Sequence, residues 1–215
     1  MTNLVIWSEW FVGRYLCRFL EAKGEKVIHF DIKRWMHEDA RLVNLPLEWV
    51  DKVYFLAWEV GWAKYLYRDD TQLKQLKWNV DLLHNVMPQL EKSGVPFIFI
   101  SSQLAEENTV YWITKKLGEF WTRMIWWSFI RLCNMYGEEE ELWDKSHVIS
   151  DFIKQARKWK ITMLSSGNEK RQFIYLEDVC ETLYNMKNNW IAIKDVANII
   201  QKTTLEEGIK KMIKK

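Results

Sequence analysis

Short unbroken apolar runs alternate along this chain with longer stretches in which apolar positions recur every three or four residues. Residues 3–7 (NLVIW) read as a buried strand. A helix follows over 11–23, with Phe11, Tyr15, Leu16, Phe19 and Leu20 on one stripe. Gly24 stands where a helix-ending glycine belongs, and 26–31 (KVIHFD) is a second strand that ends in an acid. The pattern then repeats. Strands are predicted at 52–57 (KVYFLA), 96–101 (PFIFIS) and 128–133 (SFIRLC), and helices at 71–93, stopped by Gly94, at 110–125 and at 146–159. Apolar strands alternating with amphipathic helices predict an α/β fold whose doubly wound parallel sheet is covered on both faces. Beyond Ile161 the elements shorten to a strand at 171–175 and helices at 176–187, 193–202 and 205–214. No internal repeat or flexible linker interrupts the chain, which divides into a main domain at 1–145 and a small C-terminal lobe at 146–215 packed on it.

Composition narrows the function classes. A net charge of +2, with Lys and Arg interspersed among Asp and Glu, gives no electrostatic case for nucleic acid. The basic run Lys210, Lys211, Lys214 and Lys215 is the solvated end of a helix, where cations are favoured. No stretch approaches the ~18 uncharged apolar residues of a membrane span. The first twenty residues lack a basic start and a small-residue cleavage site, and Glu9, Arg14 and Arg18 interrupt them. Cys17, Cys133 and Cys180 have no metal-binding spacing, so the expectation is a cytoplasmic protein with reduced thiols and no metal. His29, His37, His84 and His147 likewise have no partners at ligand spacing, and the Glu138–Glu141 run reads as a solvated loop.

Two places carry candidate chemistry. The turn after the first strand, Trp7-Ser8-Glu9-Trp10-Phe11-Val12-Gly13, opens a helix within a β-α-β unit of dinucleotide-binding size. Asp31 lies 18 residues beyond Gly13, where a carboxylate can accept hydrogen bonds from an adenosine ribose and repel a 2′-phosphate. Arg34 nearby softens that preference, and an acid ending a strand also serves as a plain cap. The second place is Tyr111 with Lys115, which at i, i+4 present a phenol and an ammonium on one helix face. A cation beside a phenol is expected to lower its pKa toward acid/base use. Ser101-Ser102-Gln103 precedes this helix at the carboxyl end of a strand, the edge where open α/β sheets bind ligands.

The stretches LVIWSEWFVGRYLCRFLEAKGEKVIHFDIKR, VYFLAWEVGWAKYL, VPFIFISSQLAEENTVYWITKKLGE and FIRLCNMYG, with HVISDFI, RQFIYLEDV and LEEGIKKMI, resemble consecutive blocks of the NAD-dependent epimerase/dehydratase family of extended short-chain dehydrogenases. The resemblance implies a Rossmann-like domain with a reduced substrate lobe. It also implies NAD as cofactor, held by residues 7 and 10 with Phe11, Val12, Gly13, Asp31, Ala57 and Lys115. Tyr111 would be the acid/base, and Lys115 would bind the nicotinamide ribose and tune that tyrosine. Ser102 or Gln103 would polarise the reacting hydroxyl, and Asn134 and Arg171 would hold the nucleotide-sugar. The implied reaction is hydride transfer from a sugar carbon to NAD, giving a keto intermediate that is then epimerised or dehydrated. Other readings of the same residues are an inactive nucleotide-binding relative and a simple short-chain carbonyl reductase. The long helix at 71–93, with Leu73, Leu76, Val80, Leu83 and Val86 or Met87 as a core stripe, matches one that often packs on a second subunit, so a homodimer is expected.

Against the family pattern, the segments between Asp31 and Asp51 and after RQFIYLEDV are short. Moreover, Trp7, Trp10, Trp62 and Trp112 stand at glycine positions of the family. Turn and helix-end rules also ask for glycine at Trp126-Trp127 and Trp159. The chain has 14 Trp and 8 Gly, whereas glycine ordinarily makes up ~7% of residues. The pattern is that of glycines written as tryptophan, as when a UGA codon is decoded as glycine in the cell. The alternative is genuine drift in a protein that lost NAD binding.

Overall fold

The computed structural model describes residues 1–60, 69–103, 109–138, 148–159, 172–186 and 203–213. Five strands form one parallel sheet: β1 (Thr2–Ile6), β2 (Lys26–Phe30), β3 (Lys52–Phe55), β4 (Phe97–Ser102) and β5 (Ser128–Leu132), in the order β2-β1-β3-β4-β5. Because each strand runs parallel to its neighbour, each connection must cross a face of the sheet. Helices α1 (Phe11–Ala22), α2 (Asp69–Ser93) and α3 (Val110–Met124) make these crossings.

Strand side chains alternate between two buried faces, which is why the strands read as continuous apolar runs. Val5, Tyr54, Ile98, Ile100 and Ile130 point to one side and meet Leu16 and Leu20 of α1. Leu4, Ile6, Val53, Phe55 and Phe99 point to the other and meet Leu83, Val86 and Leu90 of α2. The stripe of α2 differs from the sequence expectation in its first half. Leu73 and Val80 are exposed, at 70% and 39%, and the core instead takes Leu82 beside Leu83, Val86, Met87 and Leu90. In that half the buried face is carried instead by Gln75 and Asn79, which hydrogen-bond to the Glu59 backbone.

A second, two-stranded sheet pairs β6 (Asn134–Tyr136) in parallel with β7 (Phe173–Tyr175). Helix α4 (Val148–Arg157) lies between them in sequence. Helices α5 (Leu176–Asn185) and α6 (Leu205–Ile213) follow β7. Tyr136, Ile149, Tyr175 and Met212 form a small core of their own. Helix α5 joins the main core on the α1 side through Leu176, Val179, Cys180 and Leu183. Lys52 of β3 is buried under its end and donates to the Leu183 and Met186 carbonyls at 3.1 and 2.9 Å, a cation placed at a helix C-terminus. None of the three cysteines is bonded, and no described helix is long and apolar enough to cross a membrane. The helix expected at 193–202, along with Trp62 and His147, lies outside the described residues.

Candidate active site

The strand order reverses between β1 and β3, and ligand crevices of open α/β sheets form beyond the carboxyl ends of strands at such a point. There the chain leaves β1 through Trp7, whose φ is 77°. That left-handed conformation crowds a Cβ and is the ordinary province of glycine. The Trp7 N–H donates to the Phe30 carbonyl at 2.8 Å, and the Trp10 N–H donates to the Trp7 carbonyl at 3.3 Å. Trp10 is the N-cap of α1 and offers no side-chain acceptor to it. One turn further on, a Cβ at Gly13 would run into the Trp7 carbonyl oxygen, so α1 sits against the turn because residue 13 is glycine. Phe11 and Val12 bury their side chains in the core and offer the edge only main chain.

Asp31 follows β2 and is buried. Its Oδ2 accepts the Glu9 N–H at 2.9 Å and its Oδ1 the Lys33 N–H at 2.8 Å. The carboxylate thereby clips the exit of β1 to the exit of β2: it acts as a cap, and it stands at the edge the sequence assigned it. Arg34 lies 3.9 Å from Glu9. Ala57, beyond the end of β3, lines a cleft with Trp7, Phe30, Ile32 and Asp39 that has room for little more than one water.

Across this edge, β4 ends at Ser102 and α3 brings Tyr111 back over it. Burial pushes the Tyr111 pKa far above the usual phenol range, and only the hydrogen-bonding influence of Ser102 pulls it the other way. Lys115 is buried one turn on. Its Nζ donates to the Ile100 carbonyl at 2.5 Å and lies 4.1 Å from the centre of the Trp58 ring. Burial holds the Lys115 pKa well below the usual lysine range, against the pull of Glu119. The phenolate stabilised by a neighbouring cation, expected from the i, i+4 spacing, is therefore not the arrangement found. Trp58 covers the ammonium, which turns to a strand carbonyl, and Tyr111 packs edge-on to Trp112 at 4.0 Å.

The sequence reading missed Trp58. It is 1% exposed, and its Nε1 is buried without a hydrogen-bond partner. The signal was its position just past the end of β3, as Trp7 is just past the end of β1. Helices α2 and α3 hold the segment after it: Asn79 accepts from the Glu59 N–H at 2.9 Å and donates to the Glu59 carbonyl and to Thr114 Oγ1. A buried clamp fixes α3 one further turn along. Arg131 donates through Nε and Nη2 to the Glu119 carboxylate at 2.7 and 2.6 Å, and Ser101 donates to the same group at 2.5 Å.

Gln172 joins two of the expected site residues. Its Oε1 accepts from Gln103 Nε2 at 2.9 Å, and its carbonyl accepts from Asn134 Nδ2 at 3.1 Å. Nothing in the sequence marked it except its place beside Arg171, which lies outside the described residues.

A dinucleotide at this edge needs bare main chain at the β1 exit and open volume toward Lys115. Gly13, Asp31 and the buried Ser8 hydroxyl, whose Oγ has no partner, suit it. The indoles do not. Trp7 and Trp10, with ring centres 5.4 Å apart, fill the mouth of the turn, and Trp58 fills the space over Lys115. As written, the chain does not fit the cofactor.

Comparison with known proteins places the fold. The structure superposes on a UDP-glucose 4-epimerase from Thermotoga maritima, solved with UDP-glucose, with a TM-score of 0.78 at 17% identity, covering 100% of this chain and 98% of that one. A GDP-L-fucose synthetase from Naegleria fowleri bound to NADP gives 0.72 at 17%, over 99% and 92%. A Thermus thermophilus UDP-glucose 4-epimerase in complex with NAD gives 0.70 at 14%, over 100% and 98%. Among curated proteins, none matches the sequence significantly. The sequence model of the NAD dependent epimerase/dehydratase family matches residues 9–199, and the chain belongs to that family.

Proposed function

We propose that this protein is a cytoplasmic NAD-dependent epimerase or dehydratase of a nucleotide-activated sugar, acting through a transient keto intermediate. Family membership and the nucleotide-sugar enzymes among its structural neighbours support the class. The observation that carries the reading is the placement of Ser102, at the end of β4, and Tyr111, at the start of α3, on the same sheet edge as Gly13 and Asp31.

In this reading residues 1–145 hold the dinucleotide and 146–215 the sugar. Tyr111 exchanges the proton of a sugar hydroxyl, and Ser102 orients that hydroxyl. Lys115 is a positioning residue that reaches the cleft once the space over it is open. Gln103 and Asn134, joined through Gln172, border the substrate side, and Arg171 remains the residue that the family resemblance implies for holding the nucleotide-sugar. Bound NAD would supply the hydride acceptor.

The test is turnover by the Trp7→Gly/Trp10→Gly/Trp58→Gly variant incubated with NAD and either UDP-glucose or GDP-mannose. Conversion of either sugar, followed by chromatography of the nucleotide-sugar, supports the reading. A variant that binds NAD and leaves both sugars unchanged contradicts it. One observation favours a second reading, a nucleotide-binding relative without turnover: Lys115 is buried beneath Trp58 and bonded to Ile100. NAD binding with no sugar chemistry is its signature.

A further inference from the structure

Four described residues other than glycine have positive φ: Trp7 at 77°, Trp49 at 61°, Trp126 at 65° and Trp159 at 53°. All four are tryptophan. Left-handed backbone outside glycine is uncommon and belongs mostly to Asn, Asp and His, whose short polar side chains tolerate it. With 14 tryptophans in 215 residues, four such positions falling on tryptophan by chance has a probability on the order of 10⁻⁵.

The local hydrogen bonds show which residue these positions require. Helix α1 ends in a left-handed Gly24, whose N–H donates to the Glu21 carbonyl, while the next N–H, of Glu25, reaches back to Leu20. Helix α3 ends in the same pair of bonds, Trp126 to Arg123 and Trp127 to Thr122, with tryptophan in the glycine slot. Helix α4 ends with Trp159 donating to Ala156, and α2 with Gly94 donating to Leu90. Four helices thus stop in one conformation, two on glycine and two on tryptophan. This is the helix C-cap that glycine dominates because it lacks a Cβ.

Nor does packing account for the indoles. Trp49, Trp126 and Trp159 are 85%, 73% and 98% exposed, so the largest apolar side chain occupies the least suitable backbone while facing water. At the cleft the same residue type obstructs instead: Trp7 has the left-handed backbone, and Trp58 is buried with an unpaired N–H.

We infer that Trp7, Trp49, Trp126 and Trp159 are glycines in the protein its source cell makes, each from a UGA codon that the cell decodes as glycine and that is written here as tryptophan. The same substitution at Trp10 and Trp58 clears the dinucleotide cradle. The backbone evidence at positions 49, 126 and 159 is independent of the proposed activity, since those residues lie outside the site.

The direct test is peptide mapping by mass spectrometry of protein from the source cell, with the coding DNA read alongside. Peptides lighter by C9H7N at positions 7, 49, 126 and 159, over UGA codons, are the expected result. Tryptophan in any of those peptides, or UGG codons at the four positions, overturns the inference. A recombinant comparison is a second check, distinct from the functional test. The Trp49→Gly/Trp126→Gly/Trp159→Gly variant should melt about 5 °C or more above the chain as written, because three strained turns are relieved. An unchanged or lower melting temperature contradicts it.

Discussion

At the scale of single residues, the site depends on what stands beside two polar groups. Tyr111 keeps its proton because burial disfavours phenolate, and Ser102 is the group that opposes that burial. Replacing Tyr111 with Phe in the chain cleared of the three cleft tryptophans should lower kcat by about 10²–10⁴-fold with the melting temperature little changed. Loss of folding instead of rate would make Tyr111 a packing residue. Lys52 offers a pH-dependent counterpart in the core. Burial lowers its pKa to about 8, below its value in the unfolded chain. Between pH 8 and about 10 the unfolded state therefore holds a proton that the folded state has released, and stability rises with pH, by up to about one proton's worth of slope. Urea titrations of Lys52→Met across that window should show the slope reduced, whereas an identical slope would mean that Lys52 does not titrate there. Residues at this scale were unevenly legible in the sequence. Asp31, Gly13 and Tyr111 announced themselves by spacing. The orientation of Lys115 did not, because it depends on Trp58 from a different element.

Between elements, α3 is the part that makes the site a unit. It carries Tyr111 and Lys115 toward β4, and the Glu119–Arg131–Ser101 clamp fixes its rotation against β4 and β5. Removing the carboxylate takes a shared acceptor from the part-buried Arg131 guanidinium and the buried Ser101 hydroxyl. Glu119→Ala should therefore cost about 1–3 kcal/mol in denaturant unfolding, whereas no measurable cost would show that the clamp is dispensable. Apolar run and period sufficed to read the five strands of the main sheet and the helices that cover it, and the helix-ending glycines fixed where α1 and α2 stop. The clamp was not readable, since its partners lie 12 and 18 residues from Glu119 and come together only when β4 and β5 pair. The α2 stripe misled for a related reason: the buried face of its first half is carried by polar Gln75 and Asn79, which an apolar period does not count.

For the whole molecule, the exposed front of α2 has a companion on α3. Leu73, Leu76 and Val80 on one helix, with Ile113, Leu117 and Phe120 on the other, leave apolar side chains in water on two helices that pack together. We propose these side chains as the contact of the homodimer that the family resemblance implies. Sedimentation should give a dimer for the chain and a monomer for Leu117→Glu/Phe120→Glu; equal masses for the two would remove this face from the assembly. The strand at 171–175 and the helix at 176–187 are legible in the sequence, whereas β6, its pairing with β7 and the docking of α5 emerge only from the fold, because a three-residue strand leaves no period to read. The dinucleotide cradle depends on all of these levels, and isothermal calorimetry with NAD probes it most directly. The Trp7→Gly/Trp10→Gly/Trp58→Gly chain should bind NAD with a micromolar Kd, while the chain as written gives no measurable heat. Equal binding by the two, or none by the glycine chain, would contradict the assignment of this edge as a cofactor site blocked by indoles.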